Sequence, residues 1–151
     1  MELAYLRLHL VLQGLQPREL FFPPGQPLKI GNDQRAHRGI ALRGRVDLLT
    51  ANVPYIPSSE IELLPPEARL YEPQTALDGG GDGLDLLRRV AAAAPQWLAP
   101  GGSLLSEISE RQAQPAREIL RAAGLGTRVK TSEEMNASVV IATRHGHFTH
   151  G

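Results

Sequence analysis

Residues 46–57 read VDLLTANVPYIP, and residues 71–83 read YEPQTALDGGGDG. Residues 46–51 are nearly continuous apolar sequence, closed by Asn52 and the proline that follows. A short run of this kind predicts a strand buried on both faces, as in a parallel sheet covered by helices. Pro54, Pro57, Pro65, Pro66 and Pro73 then recur across the next section. Proline lacks the backbone N–H and pushes the residue before it towards extended geometry. Beyond a turn or two of helix, no regular element fits between the strand and the glycine cluster.

Downstream, Asp82 can cap a helix beginning near Leu84. Leu84, Leu87, Val90, Ala91 and Ala94 share one face at helical spacing, and Pro95 is expected to end it. Pro100-Gly101-Gly102 reads as a turn, and residues 103–108 as a second strand. Ser109 and Gln112 have capping-box spacing for a second helix that stops at Gly124. Pro115 moves the regular part of that helix to about Gln114. Residues 128–131 and 138–143 read as two further strands joined by a polar turn at Asn136. Upstream, Leu6, Leu8, Leu10 and Leu12 alternate with other residues; the pattern is strand-like, although short enough for helix. Residues 17–45 read as loop, rich in Pro and Gly, with a short extended piece at 28–30. The order implies an α/β layout of parallel strands closed by an antiparallel pair. The expected division is an atypical N-terminal segment at 1–38, an α/β unit at 39–144 and a disordered tail at 145–151.

The chain has 151 residues, which suggests one domain. A chain of that size buries roughly 70% of its unfolded surface. Lys plus Arg total 16, Asp plus Glu total 16, and the net charge is zero. No basic field points to nucleic acid. The absence of cysteine removes disulfides, thiolate nucleophiles and cysteine metal sites. No apolar run reaches the roughly 18 residues of a membrane span. Residues 1–15 are apolar but hold Glu2, Arg7 and His9 without a small-residue cleavage site, so they do not read as a signal peptide. The expectation is a cytoplasmic protein with neither a membrane nor a nucleic-acid partner.

Several features recur in a fixed order. A strand leads into Asn52, Val53, Pro54 and Tyr55, then Ile56-Pro57. Pro66, Glu67 and Arg69 precede Glu72-Pro73, Ala76-Leu77, Gly80 and Asp82-Gly83-Leu84. Leu98, Pro100-Gly101-Gly102, Glu107 and Gln112 follow. From about Gly39 to Arg144 this set resembles the C-terminal half of a HemK-type (PrmC-like) methyltransferase. Such enzymes use S-adenosylmethionine to methylate the side-chain amide of the glutamine in the Gly-Gly-Gln loop of peptide-chain release factors. The resemblance implies a partial Rossmann-like S-adenosylmethionine methyltransferase fold. The chain would supply the C-terminal half of a seven-stranded sheet, with residues 6–12 covering the exposed flank of the strand at 46–51. An uncovered flank would instead invite self-association.

Two departures from the family pattern stand out. Val53 replaces the proline of the Asn-Pro-Pro-Tyr signature. The family's cofactor-binding opening, a strand, a Gly-x-Gly turn, a helix and a ribose-binding acid, has no match in residues 1–38. The glycine cluster at 78–83 is not a substitute: Glu72 and Pro73 upstream exclude the buried strand that a nucleotide loop needs. Cofactor-binding residues are therefore not assigned, and binding of S-adenosylmethionine by this chain is expected to be weak or absent.

An amide nitrogen is a poor nucleophile because its lone pair is delocalised. A site that methylates it must accept hydrogen bonds from the NH2 and aim the nitrogen. By resemblance, Asn52 accepts one through its side-chain oxygen, the carbonyl of Val53 accepts a second, and the Tyr55 ring packs on the planar amide. Val53 retains that carbonyl and, before Pro54, an extended backbone. Glu72 and Pro73 are placed on the substrate side. Asp82 is expected as a helix cap, Glu107 as the partner of an arginine, Arg88 and Arg89 as a solvated face, and Trp97 with Leu98 as core. His145, His147 and His150 read as a frayed tail, with no metal site. Three alternatives remain open at this point. The chain is a methyltransferase completed by an unfamiliar N-terminus or a partner chain, an inactive truncated member that binds protein, or an unrelated small interaction domain.

Overall fold

The computed structural model describes residues 6–11, 18–22, 42–67 and 77–146. The strands are β1 (Leu6–Val11), β2 (Arg18–Phe22), β3 (Val46–Asn52), β4 (Leu98–Ile108), β5 (Leu125–Ser132) and β6 (Ala137–Arg144). Helix α1 (Asp85–Trp97) crosses from β3 to β4, and α2 (Ala113–Ala122) runs from β4 to β5. Short 3-10 turns lie at Ser58–Leu63 and Glu110–Gln112. The strands form one sheet in the order β2-β1-β3-β4-β6-β5. Only β3 and β4 run parallel, and every other neighbouring pair is antiparallel. This is a mixed α/β architecture, consistent with the partial Rossmann-like fold expected from the sequence.

β1 lies along the outer flank of β3, with Leu10 opposite Leu49, Leu8 opposite Ala51 and Arg7 opposite Asn52. The flank is thus paired within the chain, by a strand of opposite direction. β2 extends this edge, in a stretch whose Pro-rich surroundings read as loop.

The core lies on one face of the sheet. Val46, Leu49 and Ala51 of β3 meet Leu104, Val140 and Ala142 from β4 and β6. Leu87, Val90, Ala91 and Ala94 of α1, with Ala116 and Leu120 of α2, close over them. The expectation of burial on both faces of β3 is corrected: Asp47 is exposed, and Leu48 and Thr50 are half-buried. Both helices pack into the same cluster, so among the described residues only one face receives helical cover.

Three boundaries differ from the sequence reading. Pro95 does not end α1: the helix continues to Trp97, and the Leu98 N–H closes the last turn on the Ala94 carbonyl. Burying Trp97, which is 4% exposed, favours that extra turn. The Arg43 guanidinium lies 5.0 Å from the centre of its ring. Pro100-Gly101-Gly102 is not a separate turn but a bulge within β4: Val46 pairs with Leu98, yet Leu48 pairs with Ser103. Gly102 is required there, because a Cβ would lie 2.5 Å from the Val46 carbonyl oxygen. α2 begins at Ala113, with Pro115 in its first turn, where the missing N–H costs nothing.

Candidate functional site

The site lies at the carboxyl end of the parallel pair, where open α/β sheets place their ligands. Ala51 of β3 pairs with Ser106 of β4, and the Ser106 hydroxyl donates to the Ala51 carbonyl at 3.2 Å. One residue further along each strand, Asn52 and Glu107 are both exposed. The Asn52 side chain has no hydrogen-bond partner among the described residues. Val53 turns back into the core and is 4% exposed, which anchors the segment immediately after Asn52.

Tyr55 brings the two strand ends together: its hydroxyl donates to Glu107 Oε1 at 3.2 Å. Partial burial raises the Tyr55 pKa above its ordinary value of 10.0, and the Glu107 carboxylate raises it further by charge and by accepting the hydrogen bond. The expected arginine partner of Glu107 is thus replaced by a tyrosine.

Beyond Tyr55 the chain pairs with the glycine cluster. The Ile56 N–H donates to the Leu77 carbonyl at 3.3 Å, the Gly79 N–H to the Ile56 carbonyl at 2.8 Å, and the Ser58 N–H to the Gly80 carbonyl at 2.9 Å. The Ser58 hydroxyl adds a 2.6 Å bond to Asp78. The glycines serve this internal packing. A Cβ on Gly79 would lie 2.5 Å from the Gly83 carbonyl, and one on Gly83 would overlap the Tyr55 carbonyl and the Gln112 amide. Gly80 and Gly83 have φ of 90° and 78°.

Asp82 is not itself the cap of α1: Leu84 holds the N-cap position without a side-chain cap bond, and Asp82 accepts the Leu84 N–H at 3.0 Å from two residues upstream. It also binds Arg88, whose guanidinium reaches Asp85 as well. The hydrogen bond to Arg88 is the main reason its carboxyl is held down to about 2. Arg88 is therefore paired within the chain rather than merely solvated.

A trough of about 400 Å³ runs beside Tyr55, with Ile56, Pro57, Leu63 and Leu64 as its apolar lining. Arg111 bridges it, donating to both carboxylate oxygens of Glu60 at 2.8 and 3.2 Å. Glu72 and Pro73 lie outside the described residues. Gln112 is the residue that sequence reasoning undervalued. Its spacing from Ser109 signals a cap, and the Ser109 N–H does donate to its Oε1 at 2.9 Å. Its Nε2, however, reaches the carbonyls of Tyr55 and Asp82, contacts that no local spacing encodes.

The described residues do not fit S-adenosylmethionine. Gly79 and Gly83 face backbone and Gly80 faces the Asp85 side chain, Asp82 and Asp85 engage Arg88, and the flank of β3 carries an antiparallel strand. A nucleotide site of this class needs a parallel strand, a glycine turn and a helix N-terminus there. Among the described residues, no three His, Asp or Glu side chains converge to hold a metal ion, and no helix is long and apolar enough to cross a membrane.

These features define an α/β chain with an exposed asparagine and a tyrosine–carboxylate pair at the carboxyl edge of its parallel strands. No family model matches the chain. Curated proteins do. A release factor glutamine methyltransferase of Geobacter sulfurreducens is 53% identical over 70 residues, 46% of this chain and 25% of the relative. That of Cereibacter sphaeroides is 49% identical over 85 residues, covering 56% and 31%. That of Thermosynechococcus vestitus is 35% identical over 97 residues, covering 64% and 33%. The matches thus span between a quarter and a third of these relatives' length. Over about half of its length the chain is similar to release factor glutamine methyltransferases, consistent with a partial member of the HemK-type family.

Proposed function

We propose that this chain carries the acceptor-amide site of an S-adenosylmethionine-dependent methyltransferase of the release-factor glutamine type. The observation that carries the reading is Asn52: exposed, without a side-chain partner among the described residues, and fixed at a sheet edge by the buried Val53. In this reading Asn52 Oδ1 accepts one hydrogen of the acceptor NH2, the Val53 carbonyl accepts the other, and the Tyr55 ring packs against the amide plane. Glu72 and Pro73 border the acceptor backbone. The substrate is a protein loop, by similarity to relatives named for release factors, and the working location is the cytoplasm. Because the described residues do not fit the methyl donor, a completing segment or partner chain supplies its site.

A second reading is favoured by β1, which occupies the edge of β3 where a completing strand would add. In that reading the chain is catalytically inactive and acts as a protein-binding module. Methyl transfer from labelled S-adenosylmethionine to a Gly-Gly-Gln release factor separates the two. The assay uses the chain alone and with an N-terminal fragment of the Geobacter relative. Transfer that depends on Asn52 supports the first reading; release-factor binding without transfer supports the second.

A further inference from the structure

We propose that Gln112 is the positioning residue of this site, holding the backbone of the Asn52–Tyr55 segment in register with the glycine loop. The inference rests on the acceptor-amide reading above. Gln112 is 6% exposed, and its amide is fully engaged. Nε2 donates to the Tyr55 carbonyl at 2.7 Å and to the Asp82 carbonyl at 3.0 Å, while Oε1 accepts the Ser109 N–H at 2.9 Å. One planar group thus ties the segment after β3, the loop before α1 and the turn after β4. A planar amide with both donor hydrogens and its acceptor used fixes all three relative to one another. The Tyr55 carbonyl is the last backbone acceptor of the candidate segment, so its placement sets where the ring and hydroxyl stand. Gly83 completes the clamp, because any Cβ there would enter the space between the Tyr55 carbonyl and Gln112 Nε2.

A cap alone would need only Oε1. Gln112→Glu separates the two roles: it keeps an acceptor for the Ser109 N–H and removes both donors. When protonated, the new carboxyl can donate to one carbonyl; when ionised, it faces two carbonyl oxygens with none to give. The charged groups around the position are Glu107 on the Tyr55 hydroxyl, Asp82 with Arg88, and the Glu60–Arg111 pair. All are present in the wild type, so a pH dependence confined to the variant belongs to residue 112.

The test follows the Tyr55 ring by NMR in selectively labelled protein, with affinity for a capped Gly-Gly-Gln peptide read in parallel. In Gln112→Glu, the Tyr55 signal is expected to move with pH between 4 and 8, and peptide affinity to fall at least about tenfold at the upper end, as for loss of a buried hydrogen bond. The wild type lacks that variant-specific movement and keeps its affinity. A variant that loses thermal stability while its Tyr55 signal and affinity track the wild type would overturn the proposal and leave a cap. If the variant does not fold, the wild-type Gln112 side-chain NH2 resonances serve instead. They are expected to shift as peptide saturates, and resonances that stay still while Asn52 responds would overturn the proposal. Wild type that binds no peptide sinks the acceptor-amide reading and this proposal's role in it. A pH-dependent Tyr55 signal would then show a clamp without a site.

Discussion

The Tyr55 hydroxyl donates to Glu107 Oε1 at 3.2 Å, closing the ends of the two parallel strands over a gap of 52 residues in sequence. Burial first, and the carboxylate second, raise the phenol pKa above 10.0. A group with its folded pKa raised adds stability that is fully present below the unfolded value and is lost as pH rises through the folded value. Tyr55 therefore helps the fold up to about pH 10 and loses that contribution above it. Glu107→Gln is expected to bring the Tyr55 titration down only part of the way, since burial persists. Ultraviolet or NMR titration of Tyr55 in both proteins checks this. A return all the way to the ordinary value would show that the carboxylate, not burial, dominates.

Gly83 and Gly81 lie two residues apart and should respond very differently to alanine. Gly83 has φ of 78° and no room for a Cβ beside the Tyr55 carbonyl, whereas nothing lies within 4 Å of a Cβ on Gly81. Gly83→Ala is expected to destabilise by about 2 kcal/mol or more, combining backbone strain and overlap. Gly81→Ala should stay within about 0.5 kcal/mol of the wild type. Chemical denaturation of both variants decides it, and equal stabilities would mean that the loop does not pack on Tyr55.

At low pH the informative pair is Asp82 with Arg88. The carboxyl is depressed from 3.8 to about 2, chiefly by its hydrogen bond to Arg88. A depressed carboxyl adds stability above its unfolded pKa and loses it as pH falls through the folded one. The pair is half-exposed, so the effect is small, up to about 1 kcal/mol. Asp82→Asn keeps the oxygen that accepts the Leu84 N–H and loses the ion pair. Its melting temperature should lie slightly below that of the wild type at pH 6 and converge with it between pH 4 and 2. A constant gap across that range would show that the ion pair is not the source of the loss.

Calorimetric titration of the chain with S-adenosylmethionine is expected to show weak binding or none. Gly79, Gly80 and Gly83 of the glycine cluster are packed internally, and β1 occupies the flank of β3. Micromolar affinity would contradict the reading of residues 1–38 as lacking a cofactor-binding motif, and would make the chain a candidate enzyme on its own.

Much of this architecture was legible from local pattern. The apolar run at β3, the face Leu84 to Ala94 of α1, and the two terminal strands each follow from side-chain periodicity. The Asn52–Tyr55 segment stands out only through its resemblance to the family's Asn-Pro-Pro-Tyr signature and the ordered features downstream, since Asn and Pro are common at strand ends. What could not be read depends on contacts between distant residues. Gln112 and Tyr55 are 57 residues apart, and no periodicity records their bond. Pro95 argues for a helix end, yet burial of Trp97 carries α1 past it. β2 lies among Pro- and Gly-rich sequence and owes its strand geometry to pairing with β1. One-sided cover of β3 was equally hidden, because an apolar run does not say how many faces receive helices.

The most direct measurement concerns Asn52. It is exposed and its side chain has no partner among the described residues, so Asn52→Ala should change stability by less than about 0.5 kcal/mol. In methyl transfer to a Gly-Gly-Gln release factor by the completed protein, the same substitution should cost roughly 10² to 10³ in turnover, as for loss of a preorganised polar group. Tyr55→Phe should cost less, since it keeps the ring and loses only the bond to Glu107, and Val53→Pro should be neutral or better. Wild-type activity that falls by this factor in Asn52→Ala, with the fold intact, is the predicted result. An active wild type matched by Asn52→Ala would contradict it and reduce the Asn52–Tyr55 segment to a strand-ending turn.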